Sequence, residues 1–479
     1  MTDSLKQKAT KGILWSALER FSVQGVQFVI MIIMANLLTP DDYGLIGMLS
    51  IFLAVAQTLI DSGFSQALIR QQDRTEVDNS TVFYFNIVVS GLLYLLLYLS
   101  APWVADFYNK PELCAIMRVV CLSIFINSFA IVQRAILTIH IDFKSQAKVS
   151  FISNIASGIL GVTLAYTGFG VWALVWQSLF FSVLSTVLLW FFSKWRPIKA
   201  YSWTSFHKLF GFGSKLLASG ILDTVYRNIY PIVIGKVFSA GDLGHYTRAQ
   251  HFSEFPSSNV TTILQRVTYP ILCSIQDDDE RLRSVYRRFL KLSAFVVFPL
   301  MVGLAAVAHP FIIYIIGEKW AFSATLLQII CFQMMWYPIH AINLNLLQVK
   351  GRSDLFLRLE IIKKIIGVTI ICVTVPLGLV AMCYGGIVGS ILALVINTYY
   401  TGKLIHVGFM MQMRDLFPTL CLSIGMFILV LYTTQWIPSL ILQLIVGVCV
   451  GIISYVGCSY LFKFKELQEV FSLLKRNKN

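Results

Sequence analysis

Charge is scarce in this sequence. Only 13% of its 479 residues are Asp, Glu, Lys or Arg, about half the share of an ordinary soluble domain, and that shortage excludes a soluble enzyme. Metal-ligand spacing is missing as well. The nine cysteines sit singly inside apolar runs, with no C-x-x-C pair and no histidine at ligand distance along the chain, so neither a metal site nor a disulfide framework is indicated. No Walker loop occurs, which excludes ATP hydrolysis by this chain. No cofactor is expected.

Apolar length is what the sequence has in abundance. Hydrophobic residues make up 57% and aromatics 14%, and runs of spanning length recur from Gly12 to Leu461. About fourteen spans of roughly 20 residues each account for them. Turn and charge interruptions place these spans near 12–38, 43–69, 81–105, 113–139, 148–168, 171–193, 213–236, 244–270, 292–316, 322–347, 355–378, 383–405, 416–435 and 440–462. The expected fold class is therefore an all-α integral membrane protein. The basic start from Met1 to Lys11 leads into an apolar stretch without a small-residue cleavage site, so the first span is expected to be retained rather than removed as a signal peptide.

The formal charge of +14 invites a nucleic-acid reading, but the bases follow the membrane instead. With the N-terminus inside, 28 of the 38 Lys and Arg fall on inner segments. The outer loops hold Lys110, Lys236 and Lys319, and seven bases lie within spans. This bias predicts both termini in the cytoplasm and accounts for the high pI without nucleic acid. No outer loop is long enough to fold into a domain, so chemistry is expected within the helices or on the inner face. From Asp279 onward, Leu282, Val285, Tyr286, Phe289 and Leu290 share one face and Arg281, Arg283, Arg287, Arg288 and Lys291 occupy the rest. The expectation is an amphipathic helix lying in the anionic inner leaflet, with similar stripes at Trp203, Phe206, Phe210 and at Leu467, Val470, Phe471, Leu474.

A repeat runs through the chain. Leu37-Leu38-Thr39-Pro40-Asp41-Asp42-Tyr43-Gly44 matches Val237-Phe238-Ser239-Ala240-Gly241-Asp242-Leu243-Gly244 at a shift of two hundred residues. Asp42 and Asp242 can cap the next helix, and Gly44 and Gly244 permit close approach. A weaker echo sets Lys148 and Gly168 against Arg358 and Gly378. The unit holds six spans, an even number that keeps both halves in one orientation. The predicted organisation is an N-terminal lobe over 1–200 and a C-terminal lobe over 201–410, with residues 411–479 adding two spans and a basic tail. Two pseudo-symmetric six-helix lobes with a site between them is a transporter architecture.

Ionisable groups within a span cost roughly 2.5 to 3.5 kcal/mol each on the insertion scale and need a partner or water. They are Glu19, Arg20, Asp61, Arg118, Arg134, Lys215, Asp223, Arg227, Arg248, Glu254 and Arg266. Bases outnumber acids and cluster on the leading spans of each lobe, which predicts a cationic cavity suited to phosphate. Structural alternatives stand beside this. Asp223 and Arg227 can pair along one helix, and Arg118, Arg248, Lys215 and Arg266 are close enough to span ends to snorkel. Arg20 and Arg134 lie deeper. Glu19, Asp61 and Glu254 can neutralise the arginines or exchange an ion. The acidic run Asp277-Asp278-Asp279-Glu280 resembles a glycosyltransferase metal pair but stands at a helix N-terminus, where the dipole favours acids.

Leu14-Trp15-Ser16-Ala17, Leu37 to Gly44, Asp61-Ser62-Gly63-Phe64, Ile275-Gln276-Asp277-Asp278 with Arg281-Leu282-Arg283, Phe298-Pro299 and Gly317-Glu318-Lys319-Trp320 together resemble the Wzx-type polysaccharide flippases of the MOP superfamily. The resemblance is nearest to the colanic acid and teichuronic acid exporter branch and covers about Lys11 to Arg414. It implies a bacterial inner-membrane protein of fourteen helices that flips undecaprenyl-diphosphate-linked oligosaccharide by ion-coupled alternating access. On this expectation Arg20, Arg134 and Arg227 pair the diphosphate, with Arg118 and Arg248 meeting it near the exit. Glu19, Asp61, Asp223 and Glu254 are the coupling candidates. Membrane lipids, a polysaccharide polymerase and glycosyltransferases are the expected partners. Two rivals remain: a MATE-type multidrug exporter, disfavoured by the basic excess, and a membrane glycosyltransferase or polymerase, which would need Asp277 or Asp279.

Overall fold

A computed structural model describes residues 23–61, 64–71 and 73–469. Among these residues every regular element is a helix. The chain divides into two compact units, the first running to Gly244 and the second starting at His245.

The first unit holds α1 (Val23–Leu37), α2 (Pro40–Asp61), α3 (Phe64–Arg70), α4 (Glu76–Tyr108), α5 (Glu112–Val120), α6 (Leu122–Ser128), α7 (Ile131–Ile139), α8 (Phe143–Tyr166), α9 (Val171–Ser193), α10 (Trp203–Arg227) and α11 (Ile229–Val237). The helix starts obey local chemistry. Thr75 and Asp78 form a capping box at α4, the Thr75 N–H donating to Asp78 Oδ2 at 2.8 Å and the Asp78 N–H returning to Thr75 Oγ1 at 3.3 Å. Asp142 caps α8 by accepting from the Ser145 N–H at 3.0 Å, and each cap satisfies donors that a helix terminus otherwise leaves unpaired. The span expected at 113–139 is broken into α5, α6 and α7, with a bend of 40° before α7. The core is aromatic: Phe64, Leu68, Phe83 and Val132 are buried with Phe206 and Trp190 packed against them. The segment after α9 is tied back to α4, with the Trp195 indole donating to Glu76 at 2.6 Å and the Ile198 N–H to Ser80 Oγ at 3.0 Å.

The second unit contains most of α12 (Ala240–Ser274), then α13 (Asp279–Ala306), α14 (Ala308–Ile316), α15 (Ala321–Met334), α16 (Tyr337–Val349), α17 (Ser353–Thr374), α18 (Leu379–Ile405), α19 (Phe409–Thr434) and α20 (Leu440–Leu461). Trp320, Tyr286 and Phe298 are fully buried in its centre. Nine helices among the described residues are long and apolar enough to cross a membrane, or ten when the bent pair counts as one span. Fourteen is therefore not established by length and composition: α10, α12 and α17 carry several charges within their helical length, and α1 is described only from Val23.

One expectation is overturned here. Residues 279–291 do not form a separate helix on a lipid surface; they are the first half of α13, which continues to Ala306. Leu282, Tyr286 and Leu290 are 0% exposed, buried by helices of the same unit. Part of the stripe at 203–210 is likewise covered by protein, since Phe206 stacks on Phe210 and packs on Phe64 and Phe85. Leu467 is buried too, while Val470, Phe471 and Leu474 lie outside the described residues. An amphipathic pattern specifies a covered face but not whether lipid or another helix covers it.

The weak half of the repeat has a conformational origin. Gly168 and Gly378, which follow α8 and α17, have φ of +86° and +101° with open space where a Cβ would stand. Gly378 has ψ of 170°, a region that residues with a side chain populate at a cost of about 1 to 3 kcal/mol. Gly378→Ala is expected to lower the apparent unfolding midpoint of the purified protein in detergent. Gly425→Ala, mid-helix with nothing within 4 Å, is expected to leave it level or raise it by up to about 1 kcal/mol.

Candidate functional site

The candidates separate by environment. Glu19 and Arg20 lie outside the described residues; Asp61 closes α2 and Lys215 sits in α10, with their side chains outside what is described. Arg118 is held by one tyrosine, its Nε 3.5 Å from the Tyr98 carbonyl and its guanidinium 4.6 Å from the centre of the Tyr98 ring. A cation over an aromatic face is stabilised there without an anion. Arg134 is exposed on α7, whereas Val132, Gln133, Ala135 and Ile136 beside it are buried. It points away from the packed face. Arg248 is buried, and Glu254 and Arg266 are exposed farther along α12.

Asp223 and Arg227 are brought together. They form a 2.8 Å ion pair one helical turn apart, with side chains 50% and 71% exposed. Both side chains are at least half clear of neighbouring protein, so the pair is sterically open to a ligand. The same stretch of α10 binds α2: Thr224 and Thr58 hydroxyls stand 3.0 Å apart, and Ser50 reaches Asn228 Oδ1 at 3.4 Å. A polar seam thus positions the ion pair on a packed helix pair.

In the second unit the polar groups that sequence reasoning missed are interior. α17 starts at Ser353, two residues before the expected span at 355–378, and Lys363 lies about 15 Å along the helix axis from that start. It pairs with Glu360, one turn earlier, with side chains 15% and 29% exposed. Nearby on α16, His340 has Nε2 3.0 Å from Ser390 Oγ and Nδ1 3.2 Å from Asn397 Nδ2. Lys363 is the charged group that faces this imidazole. The spacing of Ser390 and Asn397, two turns apart on one face of α18, was the signal available for this cluster.

A second network closes one end of the same unit. Gln412 Nε2 donates towards Tyr286 Oη, Asn343 Oδ1 and Thr401 Oγ1 at 3.2, 3.0 and 3.1 Å. Tyr286 donates to Asn343 Oδ1 at 2.9 Å. One turn on, Asp415 accepts two bonds from Arg287 at 2.6 and 2.7 Å and one ion pair from Lys291 at 3.2 Å. These bases, expected at a lipid headgroup surface, are engaged with protein.

The acidic run 277–280 works locally. Asp278 caps α13 by accepting from the Arg281 N–H at 3.0 Å, and Asp279 pairs with Lys350 at 2.7 Å. At the start of α17 the hydrogen bonds from Arg352 hold the Asp354 carboxyl down to about 2. Because its folded value is depressed, that contact stabilises above about pH 4 and is lost as the pH falls towards 2. Among the described residues no group of three His, Cys, Asp or Glu could hold a metal ion.

The strong half of the repeat is reproduced atom for atom. The Thr39 N–H and hydroxyl both donate to Asp42 Oδ2, at 2.8 and 2.7 Å, and the Asp42 N–H returns to Thr39 Oγ1 at 3.3 Å. The Ser239 N–H and hydroxyl donate to Asp242 Oδ2 at 3.1 and 2.8 Å, with the Asp242 N–H returning at 3.0 Å.

Residues 33–325 match the family described as polysaccharide biosynthesis protein. The chain is similar to the teichuronic acid biosynthesis protein TuaB of Bacillus subtilis, 27% identical over 355 residues that cover 74% of this chain and 73% of TuaB. It is also similar to the lipopolysaccharide biosynthesis protein WzxC of Escherichia coli, 25% identical over 401 residues covering 82% and 80%. Among solved structures, the lipid II flippase MurJ in an inward closed conformation gives a TM-score of 0.76 at 16% identity, covering 94% of this chain and 98% of that one. That likeness speaks for the fold.

Proposed function

The chain belongs to the polysaccharide biosynthesis protein family, and from that premise we propose that it flips undecaprenyl-diphosphate-linked oligosaccharide repeat units across a bacterial inner membrane for surface polysaccharide assembly. It is a multi-pass membrane transporter rather than an enzyme. The observation that carries the proposal is the family match over residues 33–325.

The proposed orientation puts both termini in the cytoplasm, on the strength of 28 bases on inner segments against three outside. On the sequence repeat we divide the chain into an N-terminal lobe, a C-terminal lobe and two final spans at about residues 200 and 410, whereas the compact units of the structure divide at Gly244. The diphosphate is paired by arginines of the leading helices. Arg227 and Arg134 suit this best, the first because its pair with Asp223 is sterically open to a ligand, the second because it stands clear of the packed face of α7. Arg20 belongs with them on its sequence position. Arg118 and Arg248 take the anion later, Arg118 by leaving the Tyr98 ring. Proton or sodium exchange at Asp223, Asp61, Glu19 or Glu254 resets the cycle. The polymerase and glycosyltransferases act on the same glycan before and after transfer.

Deletion of the gene tests this. The expected result is loss of surface polymer with completed repeat units trapped on the carrier lipid in extracted membranes; unchanged polymer overturns the proposal. Arg227→Glu and Arg134→Glu are each expected to abolish export while the protein stays in the membrane at normal abundance. Export that survives both reversals removes these arginines from the mechanism.

A further inference from the structure

We propose that the fourth and tenth expected spans, 113–139 and 322–347, are held broken at equivalent places by side chains of neighbouring helices, and that these side chains are positioning residues: the broken form exports, whereas a continuous helix at either place folds and does not export. This rests on the transport reading above.

The breaks match across the repeat. One separates α6 from α7 at Phe129–Ala130 and the other separates α15 from α16 at Met335–Trp336, near the middle of each span and at the shift of roughly two hundred residues that relates the two halves. The first turns the helix axis by 40°, while the second leaves Glu318–Val349 straight enough to cross as one span. At both, the backbone slips to three-residue hydrogen bonds. The Phe129 and Ala130 N–H groups donate to the Ile126 and Asn127 carbonyls at 3.2 and 3.0 Å, and the Trp336 N–H donates to the Gln333 carbonyl at 3.4 Å.

Side chains take up the carbonyls that the helix gives up. From α9 the Trp190 indole donates to the Phe129 carbonyl at 2.8 Å and the Thr186 hydroxyl to the Ile126 carbonyl at 3.3 Å. In the second unit Ser257 of α12 donates to the Met334 carbonyl at 2.8 Å and Ser390 of α18 to the Gln333 carbonyl at 3.5 Å. A continuous helix pairs the Met334 carbonyl with the N–H of residue 338, and that residue is proline, which has none. Residues 112–139 contain no proline or glycine, so the first break is not compelled by its own sequence. His340 Nε2 lies 3.0 Å from Ser390 Oγ, and the Asn397 amide donates to His340 Nδ1 at 3.2 Å. A directed chain of donors thus starts on α18, passes through α16 and ends on the break.

Folding alone does not call for these breaks. In hydrocarbon a continuous helix pairs the same carbonyls with its own N–H groups, whereas here an indole and three hydroxyls are committed to the task. Local rules broken with dedicated support mark functional places, and discontinuous spans of transporters lie at the working midplane. For α7 the consequence is direct. Arg134 is the fourth residue of that helix, as His340 is of α16, and stands about 6 Å along the axis past the break. The 40° turn displaces it by about 4 Å, more than a charge-assisted hydrogen bond to phosphate tolerates.

The test separates folding from export. Variants are expressed in the deletion strain, and membrane abundance and the apparent unfolding midpoint in detergent are read beside surface polymer. Ser257→Ala alone is expected to lower the midpoint, because the Met334 carbonyl is stranded. Adding Pro338→Ala supplies the missing N–H, and the double variant is expected to recover the midpoint and to lower export at least tenfold. In the first unit Trp190→Phe keeps a ring against Phe83 and, with Thr186→Val, leaves the Phe129 and Ile126 carbonyls to the helix's own N–H groups. That pair is expected to hold its midpoint level or higher and to lower export at least tenfold, whereas Thr186→Ser exports as before. A stable double variant of either unit that exports normally overturns the positioning role. A midpoint that does not recover in the first pair, or that falls in the second, overturns the claim that these side chains hold the helices broken. Failure of the flippase reading looks different, because there the deletion strain itself keeps its polymer.

Discussion

Gln412→Leu is expected to lower the unfolding free energy of the purified protein by about 1 to 3 kcal/mol, the desolvation cost of one stranded buried donor. Gln412 is 0% exposed and its amide serves α13, α16 and α18 at once through Tyr286, Asn343 and Thr401. Leucine fills similar space and makes none of these bonds. Asn343 retains its bond to the Ile339 carbonyl at 2.8 Å, and Thr401 retains the Val407 carbonyl at 2.9 Å. Tyr286 still donates to Asn343 Oδ1 at 2.9 Å, so the loss falls on the second proton of the Asn343 amide, which gives up Gln412 Oε1 at 3.1 Å. The measurement is the apparent midpoint in detergent for Gln412→Leu, Asn343→Leu and the double variant. The double variant is expected to cost less than the sum of the singles, because removing both partners leaves fewer unpaired groups than removing one. Strict additivity would mean that the amides stabilise independently and that the network is only a geometric coincidence.

That network explains why the stretch from Asp279 to Lys291 is legible as an amphipathic helix and illegible as to location. The period of Leu282, Tyr286 and Leu290 is set by the helix itself, so the sequence carries it. The surface that covers those residues belongs to Asn343 and Gln412, separated from Tyr286 by 57 and 126 residues, and nothing local in the chain records those distances. The same holds for Arg287, whose partner is 128 residues away. A place among lipid headgroups does not follow from counting it with the inner bases.

The intramembrane charges divide in a comparable way. Asp223 and Arg227 are readable as a pair because an i, i+4 spacing brings side chains together on any helix. Glu360 and Lys363 have the same local logic, one turn apart on α17. His340 cannot be joined to them without the packing of α16, α17 and α18. The repeat is the most readable feature of all. Its matched residues encode a capping box and a close approach, both decided within one turn, and the structure returns both in duplicate.

The ion-pair end of the second unit carries the other large effect. Asp415 is 4% exposed at its side chain, whereas Arg287 and Lys291 are each 36% exposed. Removing the acid and removing the bases are therefore unequal operations. Asp415→Ala leaves two bases that can turn their charged heads towards water, and solvent screening limits the cost to about 1 to 2 kcal/mol, below that of a fully buried pair. Arg287→Ala with Lys291→Ala strands a carboxylate that has no route to water, and the expected loss is about 3 to 5 kcal/mol. The single variant Arg287→Ala should fall between them, because Lys291 remains at 3.2 Å. Apparent midpoints of the three variants decide the order. A double variant no worse than Asp415→Ala would show that α13 and α19 are held by apolar packing alone, with the carboxylate finding other donors once its bases are gone. The predicted order instead makes this end a fixed joint, a bidentate and doubly paired contact between two long helices.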